Sequence, residues 1–419
     1  MGRSKVKLPH YAFFEALAQC ESEVCADWRT TSAGLVTLRL FDDWVLDGAS
    51  AVSSDSWTLR CVRESISAID PGNSSRALLT SLVDSMQLAR HARVALVAPR
   101  LMAYARALQF EAKWTLAADV YRTVLANAEP VADADVVIAA NMQLGACSRM
   151  LAEWSEARGA YAAAAEVAAF TGDVMNVLKA RIAEANVLMA RGNLPAAEKI
   201  LDSVIESADE SGLKELRAFA LQDRGAVARQ RGDVEKAVSL TYEALSTFTD
   251  QMAKDRVLAD LAAAFFDLGL LSAARDANLM LAATAQEQYT RWVATINLLE
   301  IAGRDRREPV FEQYRRELMD ANLPATLMAF YHYYVGQGYR IFGRTEQAKA
   351  ALERAVEAAS KHEINEVLIK AEQSLSEIRD GGVVISAEAD ERRDAEASPR
   401  VAEVAGAIHE MRTLAGVAG

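Results

Sequence analysis

Little in this chain points to a chemistry of its own. Only five histidines occur in 419 residues (His10, His91, His332, His362 and His409). None forms a His-x-x-x-His or Glu-x-x-His pair with a third member, so no metal centre is expected. The four cysteines (Cys20, Cys25, Cys61 and Cys147) sit at no metal-ligand spacing and read as reduced, buried thiols. Neither a Gly-x-x-x-x-Gly-Lys-Ser/Thr loop nor a Gly-x-Ser-x-Gly elbow is present. No enzyme activity and no cofactor are therefore expected. Positive charge is in deficit: 46 Lys and Arg against 58 Asp and Glu give −12. That balance excludes generic affinity for nucleic acid or an anionic membrane. No apolar run approaches the ~18 residues of a bilayer span. The N-terminus lacks the apolar core and cleavage site of a secretory signal, and the Ser/Thr of a myristoylation site, so the cytoplasm is the expected location. Proline is scarce too, at 8, so little interrupts long helices.

What the chain does have is a repeat. Trp114, Trp154, Leu194 and Val234 lie 40 residues apart, each followed three residues later by alanine (Ala117, Ala157, Ala197, Ala237). The frame continues at 37-residue steps through Leu271/Ala274, Glu308/Phe311 and Thr345/Ala348. A step of this length with helical periodicity inside it predicts stacked helix pairs, each unit burying its apolar face on its neighbours. One pair is expected at roughly 135–151 and 153–170, with Gly145, Ala157 and Ala164 where the helices approach closely and Trp154 and Tyr161 filling the space between. Arg191-Gly192-Asn193 and Arg231-Gly232-Asp233 place glycine just past a helix end and a polar cap before the next helix. Gly269 and Gly343 repeat that punctuation.

These residues resemble the tetratricopeptide repeat family. The unit with Leu144-Gly145, Ala157, Tyr161 and Ala164 follows its pattern, as do Gly225, Ala237 and Ala244, and then Gly336, Tyr339, Ala348 and Ala355. The resemblance covers 96–379. The unit at 291–323 departs from it, with Leu299 in place of glycine and Phe311 in place of alanine, and is expected to be present but distorted. The long step is similar to the subset found in kinesin light chains, Rap-type regulators and maltose-regulator-type activators. The resemblance implies an all-α, right-handed α-α superhelix, a solenoid of about seven helix pairs.

It also implies a concave face lined by the first helix of each pair. The corresponding positions are Arg106 and Gln109, Met142 and Arg149, Lys179 and Asn186, Gln222 and Arg229, Arg256, and then Tyr333, Gln337 and Arg340. None of these is acidic, although the chain is. Guanidinium groups grip carboxylates, amides bond peptide backbone, and Met and aromatics adapt to apolar side chains. The expected ligand is thus a protein or peptide with acidic and apolar residues. A carboxylate clamp of the chaperone-binding kind is disfavoured, because Ile182 stands where Lys is needed and Asp223 and Asp260 where Asn and Arg are wanted.

Outside the repeats, 1–95 reads as a helical cap or degenerate repeats, with helices at His10–Trp28, Ser32–Leu46 and Ser56–Ile69. No basic recognition helix stands out there. Residues 380–398 read as a flexible linker. In 399–419, Val401, Val404, Ile408 and Met411 make a short amphipathic stripe. That helix either packs on the solenoid's end or docks into a partner or the chain's own groove. The aromatic run Phe330–Tyr334 reads mainly as packing, and the basic cluster Arg304, Arg306, Arg307, Arg315 and Arg316 as a solvated loop. The expected function is a peptide-binding scaffold. The alternatives are a signal-responsive regulator, in which a small peptide or metabolite alters superhelical pitch, and an enzyme subunit with a site in 1–95.

Overall fold

The computed structural model describes residues 9–20, 26–53, 55–89, 93–380 and 397–417. Among them are twenty α-helices, one 3-10 turn and no strand. The chain divides into two compact units, 1–207 and 208–419. The first contains α1 (Tyr11–Gln19), α2 (Ala26–Asp47), α3 (Trp57–Ser67), α4 (Ser74–Leu88), α5 (Val94–Phe110), α6 (Trp114–Asn127), α7 (Ala134–Met150), α8 (Trp154–Thr171) and α9 (Val174–Ala190). The division falls within α10 (Leu194–Glu210). The second contains α11 (Lys214–Gln230), α12 (Val234–Thr247), α13 (Gln251–Asp267), α14 (Leu271–Thr284), α15 (Gln288–Arg304), α16 (Glu308–Met319), α17 (Ala325–Ile341), α18 (Thr345–Lys361), α19 (Asn365–Arg379) and α20 (Pro399–Leu414). In each unit successive helices pack on their chain neighbours. No helix of the described residues is long and apolar enough to cross a membrane.

The repeat frame coincides with the helix boundaries. All seven anchor residues, from Trp114 to Thr345, are the first residue of a second helix. The residue three further on is buried every time, whether alanine or Phe311. Two residues before each anchor the backbone turns left-handed, at Ala112, Ala152, Gly192, Gly232, Gly269, Arg306 and Gly343. The following N–H then reaches back five residues, as from Glu153 to the Ser148 carbonyl (2.8 Å) or Asp233 to Ala228 (2.9 Å). This bond satisfies a carbonyl that the ending helix leaves open, and it fixes the angle between the paired helices. Ala152 holds φ at 57° against its own Cβ, which costs about 1–2 kcal/mol. Ala152→Gly is expected to stabilise the first unit by about 0.5–1 kcal/mol after the extra unfolded-state entropy of glycine. A rise in the urea midpoint at unchanged slope checks this.

Close approach between paired helices is set at one repeat position. A Cβ on Gly145 would lie 2.5 Å from the Tyr161 ring, one on Gly225 2.5 Å from the Thr241 hydroxyl, and one on Gly336 2.6 Å from Leu352. The unit at 291–323 is present, as α15 and a shortened α16 of 12 residues. Its departure is compensated. Phe311 is fully buried and fills the space left by Gly338, where a Cβ would fall 2.5 Å from the Phe311 Cζ. Tyr339 and Phe342 meet the same ring edge-on, with centroids at 5.7 and 5.2 Å.

The N-terminal helices differ from expectation in one respect. His10–Trp28 is not one helix: α1 ends at Gln19, and α2 begins at Ala26 and absorbs the expected Ser32–Leu46. The helices α1–α4 share the core of the first repeats, where Phe13, Leu38, Phe41 and Trp44 join Val97, Leu101 and Tyr104. The expected linker lies almost wholly at 381–396, outside the described residues. The C-terminal helix departs from the placements expected for it within the chain. α20 lies neither on the end of the array nor on the first helices, but against the second helices α12 and α14. Its stripe matches that surface, since Val401, Val404 and Ile408 are buried while Met411 stays partly exposed.

Candidate functional site

The first helices meet along a seam that the sequence-derived positions line. Side-chain bonds cross it at separations of one repeat. In the first unit Gln109 Nε2 donates to Gln143 Oε1 (3.3 Å) and to Cys147 Sγ (3.2 Å), tying α5 to α7. In the second, Gln222 Nε2 donates to Asp260 Oδ2 (2.7 Å) and Arg229 Nε to Asp267 Oδ2 (2.6 Å), tying α11 to α13. Gln337 Nε2 donates to Ser374 Oγ (2.7 Å) and Arg340 Nη2 to Glu377 Oε2 (2.8 Å), tying α17 to α19. The first helices are thus joined in pairs, α5 with α7, α11 with α13 and α17 with α19.

Within the first unit the first helices are cationic. The helices α5, α7 and α9 carry Arg100, Arg106, Arg149, Lys179 and Arg181 against only Asp135 and Glu184. Glu184 is turned to Arg158 of the second helix α8 (3.5 Å). Arg106 and Lys179 are exposed, and among the described residues neither has a recorded hydrogen-bond or ion-pair partner. Asn186 and Met142 are half-buried. Gln109 is committed: besides its two donations it accepts the Tyr121 hydroxyl (2.8 Å). Arg149 bonds the Tyr161 hydroxyl, whose pKa burial nevertheless raises. Burial likewise pushes the Cys147 thiol up to about 11, so it is a neutral packing group.

In the second unit the same face is charge-balanced, which the sequence positions did not reveal. Arg229 and Arg340 are held by Asp267 and Glu377. Arg256 stacks over Phe219 at 5.7 Å. Burial holds Asp260 and Glu300 above the usual carboxylate range, against the pull of Gln222 on the first and Arg304 on the second. The three arginines Arg149, Arg229 and Arg340 therefore do not present a common row of uncommitted cations. Tyr333 and Tyr334 are half-buried with rings 5.2 Å apart, and burial followed by Glu300 raises the Tyr334 pKa. Tyr331 and Tyr339 belong to the core. The basic cluster is mostly exposed, at Arg304, Arg306, Arg307 and Arg316, although Arg304 pairs with Glu300 and stacks on Phe266 while Arg315 pairs with Glu312.

Two residues of the first unit escaped the sequence-derived frame. Phe110 is 94% exposed and Met150 51% exposed. Each is the last residue of a first helix, exactly one 40-residue step apart, so an apolar edge flanks the cationic face. The recurrence of large apolar residues at a helix terminus was the available signal.

The paired helices, the seven left-handed turns and the buried small residue at one register decide the architecture. The fold is a tetratricopeptide-like helical repeat. No protein-family model matches the chain, and no curated protein matches it. Similar solved structures include a Rap conjugation gene regulator of the plasmid pLS20 in complex with the Phr* peptide, at 14% identity and TM-score 0.47, over 80% of this chain and 98% of that one. A Rap protein complexed with competence and sporulation factor is similar at 13% identity and TM-score 0.45, over 83% and 98%. The C-terminal part of a tetratricopeptide-containing protein from Cytophaga hutchinsonii gives 14% identity and TM-score 0.37, over 61% of this chain and 95% of that one. The peptide and the factor are ligands of those proteins.

Proposed function

We propose that this chain is a non-enzymatic, cytoplasmic peptide- or protein-binding scaffold, working through the first-helix face of α5, α7 and α9. The observation that supports this reading is the pair of exposed cations, Arg106 and Lys179, on a tetratricopeptide-like face with few acids of its own. Half-buried Met142 and Asn186 belong to the same helices, and exposed Phe110 and Met150 supply an apolar edge. The matching ligand is an extended or helical segment with acidic and apolar side chains. The balanced face of the second unit has no comparable demand for negative charge.

Fluorescein-labelled 15-residue peptides alternating Glu with Leu or Phe, beside the same peptides with Lys in place of Glu, provide the test. The acidic set is expected to bind and the basic set not. Arg106→Glu/Lys179→Glu should weaken the acidic set by about tenfold or more, which is ~1.4 kcal/mol. Arg256→Glu, on the second unit, should leave it unchanged. Equal binding of both sets, or no effect of the double variant, overturns the reading.

A further inference from the structure

The C-terminal helix rests on a surface built to receive it. Asp276, a buried residue of α14, is held by α20 at both carboxylate oxygens: Oδ2 by a hydrogen bond with His409 Nδ1 at 2.7 Å, and Oδ1 by an ion pair with Arg412, whose Nε lies 3.2 Å away without hydrogen-bond geometry. Arg400, at the other end of the helix, lies over the Tyr242 ring of α12 at 5.9 Å. Between these polar ends Val401, Val404 and Ile408 enter the surface on one helical face. A buried acid matched by two basic groups fixes the register of the helix along α12 and α14.

Asp276 is the sixth residue of its second helix, and so is Asp119 of α6. Asp119 also holds a histidine from a helix outside the repeats, His10 at the start of α1 (2.8 Å). The two attachments differ in depth. His10 has a 3% exposed side chain and α1 buries Phe13 in the core of the first unit. His409 has a 60% exposed side chain, and only three of the sixteen residues of α20 are buried. α1 enters the core of its unit through Phe13, whereas α20 lies against the second helices α12 and α14 through three side chains.

We propose that the α12–α14 surface is a docking site for an amphipathic helix with two basic groups placed to meet Asp276, and that α20 is its tethered, exchangeable ligand. The bound helix needs small aliphatic residues at i, i+3 and i+7 and basic groups at i+8 and i+11, the pattern from Val401 to Arg412. Because α20 is joined to the same chain, its high effective concentration keeps the site occupied although few side chains hold it. Acidic Asp276 gives this site a charge preference opposite to that of the α5–α9 face.

The full-length chain with a specific protease recognition sequence inserted between Asp380 and Pro399 tests this. After cutting, a fluorescein-labelled peptide of residues 398–417 should displace the cut helix and raise the anisotropy, reversibly with unlabelled peptide. Uncut chain should bind the labelled peptide about tenfold or more weakly, because the tethered helix competes. Asp276→Asn in the cut chain should weaken binding about tenfold, and Val404→Asp in the peptide should abolish it. Far-UV circular dichroism of the cut chain, after its helix is washed away, should fall only by the helicity of α20. Failure of the labelled peptide to bind the cut chain overturns exchange. Loss of helix beyond α20, or aggregation after washing, shows α20 to be integral and overturns the proposal. Equal binding to the Asp276→Asn chain overturns the assigned site.

Discussion

Phe311→Ala, which restores the residue that the repeat pattern asks for, is expected to destabilise the C-terminal unit by about 3–5 kcal/mol. In six of the seven units alanine at this register lets the second helix approach the first. Here the first helices supply the space instead. A Cβ on Gly303 would touch the Gly338 Cα at 3.4 Å, so α15 and α17 run close together, and the Phe311 ring covers both glycines. Truncation would remove a fully buried ring that Tyr339 and Phe342 pack against, and neither aromatic can move into the gap without leaving its own contacts. The reciprocal change, Gly338→Ala, drives a methyl against the ring and should cost about 1–3 kcal/mol. Combined, the two should cost less than their sum by about 0.5–3 kcal/mol, because each relieves the other. Urea titration followed by circular dichroism measures the sums. Hydrogen exchange should place the loss in α15–α17. A neutral Phe311→Ala, or strict additivity in the double variant, would show that the two exceptions are unrelated.

That pair illustrates what a single sequence does and does not disclose. The spacing from Trp114 to Thr345 marks seven helix starts because a left-handed turn recurs two residues before each, and such turns depend only on local backbone chemistry. Phe311 stood out only as a misfit, since its partner glycine lies 27 residues away on another helix. The arginines at Arg229 and Arg340 read as free cations for a similar reason. Their acids, Asp267 and Glu377, occupy the neighbouring repeat at slightly different registers, 38 and 37 residues on. Placing α20 was harder still. An apolar stripe shows that a helix will pack, but Asp276 lies 133 residues from His409, and nothing local connects them. The break after Gln19 was hidden because the residues around it favour helix on both sides.

Raising the pH through about 9 is expected to loosen the N-terminal unit, and His10 is the group responsible. Burial by itself would lower the imidazole pKa, but hydrogen bonds and charge from Asp119 (2.8 Å) and Asp42 (3.0 Å) outweigh it and raise the value from 6.5 to about 9. The imidazolium thus joins α1 to α2 and α6, with each ring N–H given to a carboxylate. Arg122 of α6 adds a further positive charge that acts on Asp119 and is held by Glu156 (2.7 Å). Because the folded pKa lies above the unfolded one, the stabilisation is complete below about pH 6.5. It declines as the pH rises and is gone once the folded imidazolium has titrated. A shift from 6.5 to about 9 corresponds to roughly 3 kcal/mol at most. Above that range a neutral ring faces two carboxylates with one N–H to give, and one acid loses its partner. His10→Gln keeps hydrogen-bonding capacity but cannot carry the charge. It should therefore be less stable than the parent by about 2–3 kcal/mol near pH 6, and the difference should shrink towards zero near pH 10. The comparison removes the contributions of lysines and tyrosines that titrate in both chains. Urea midpoints of the two proteins across that interval measure it, and a difference constant with pH would show that His10 acts by packing alone.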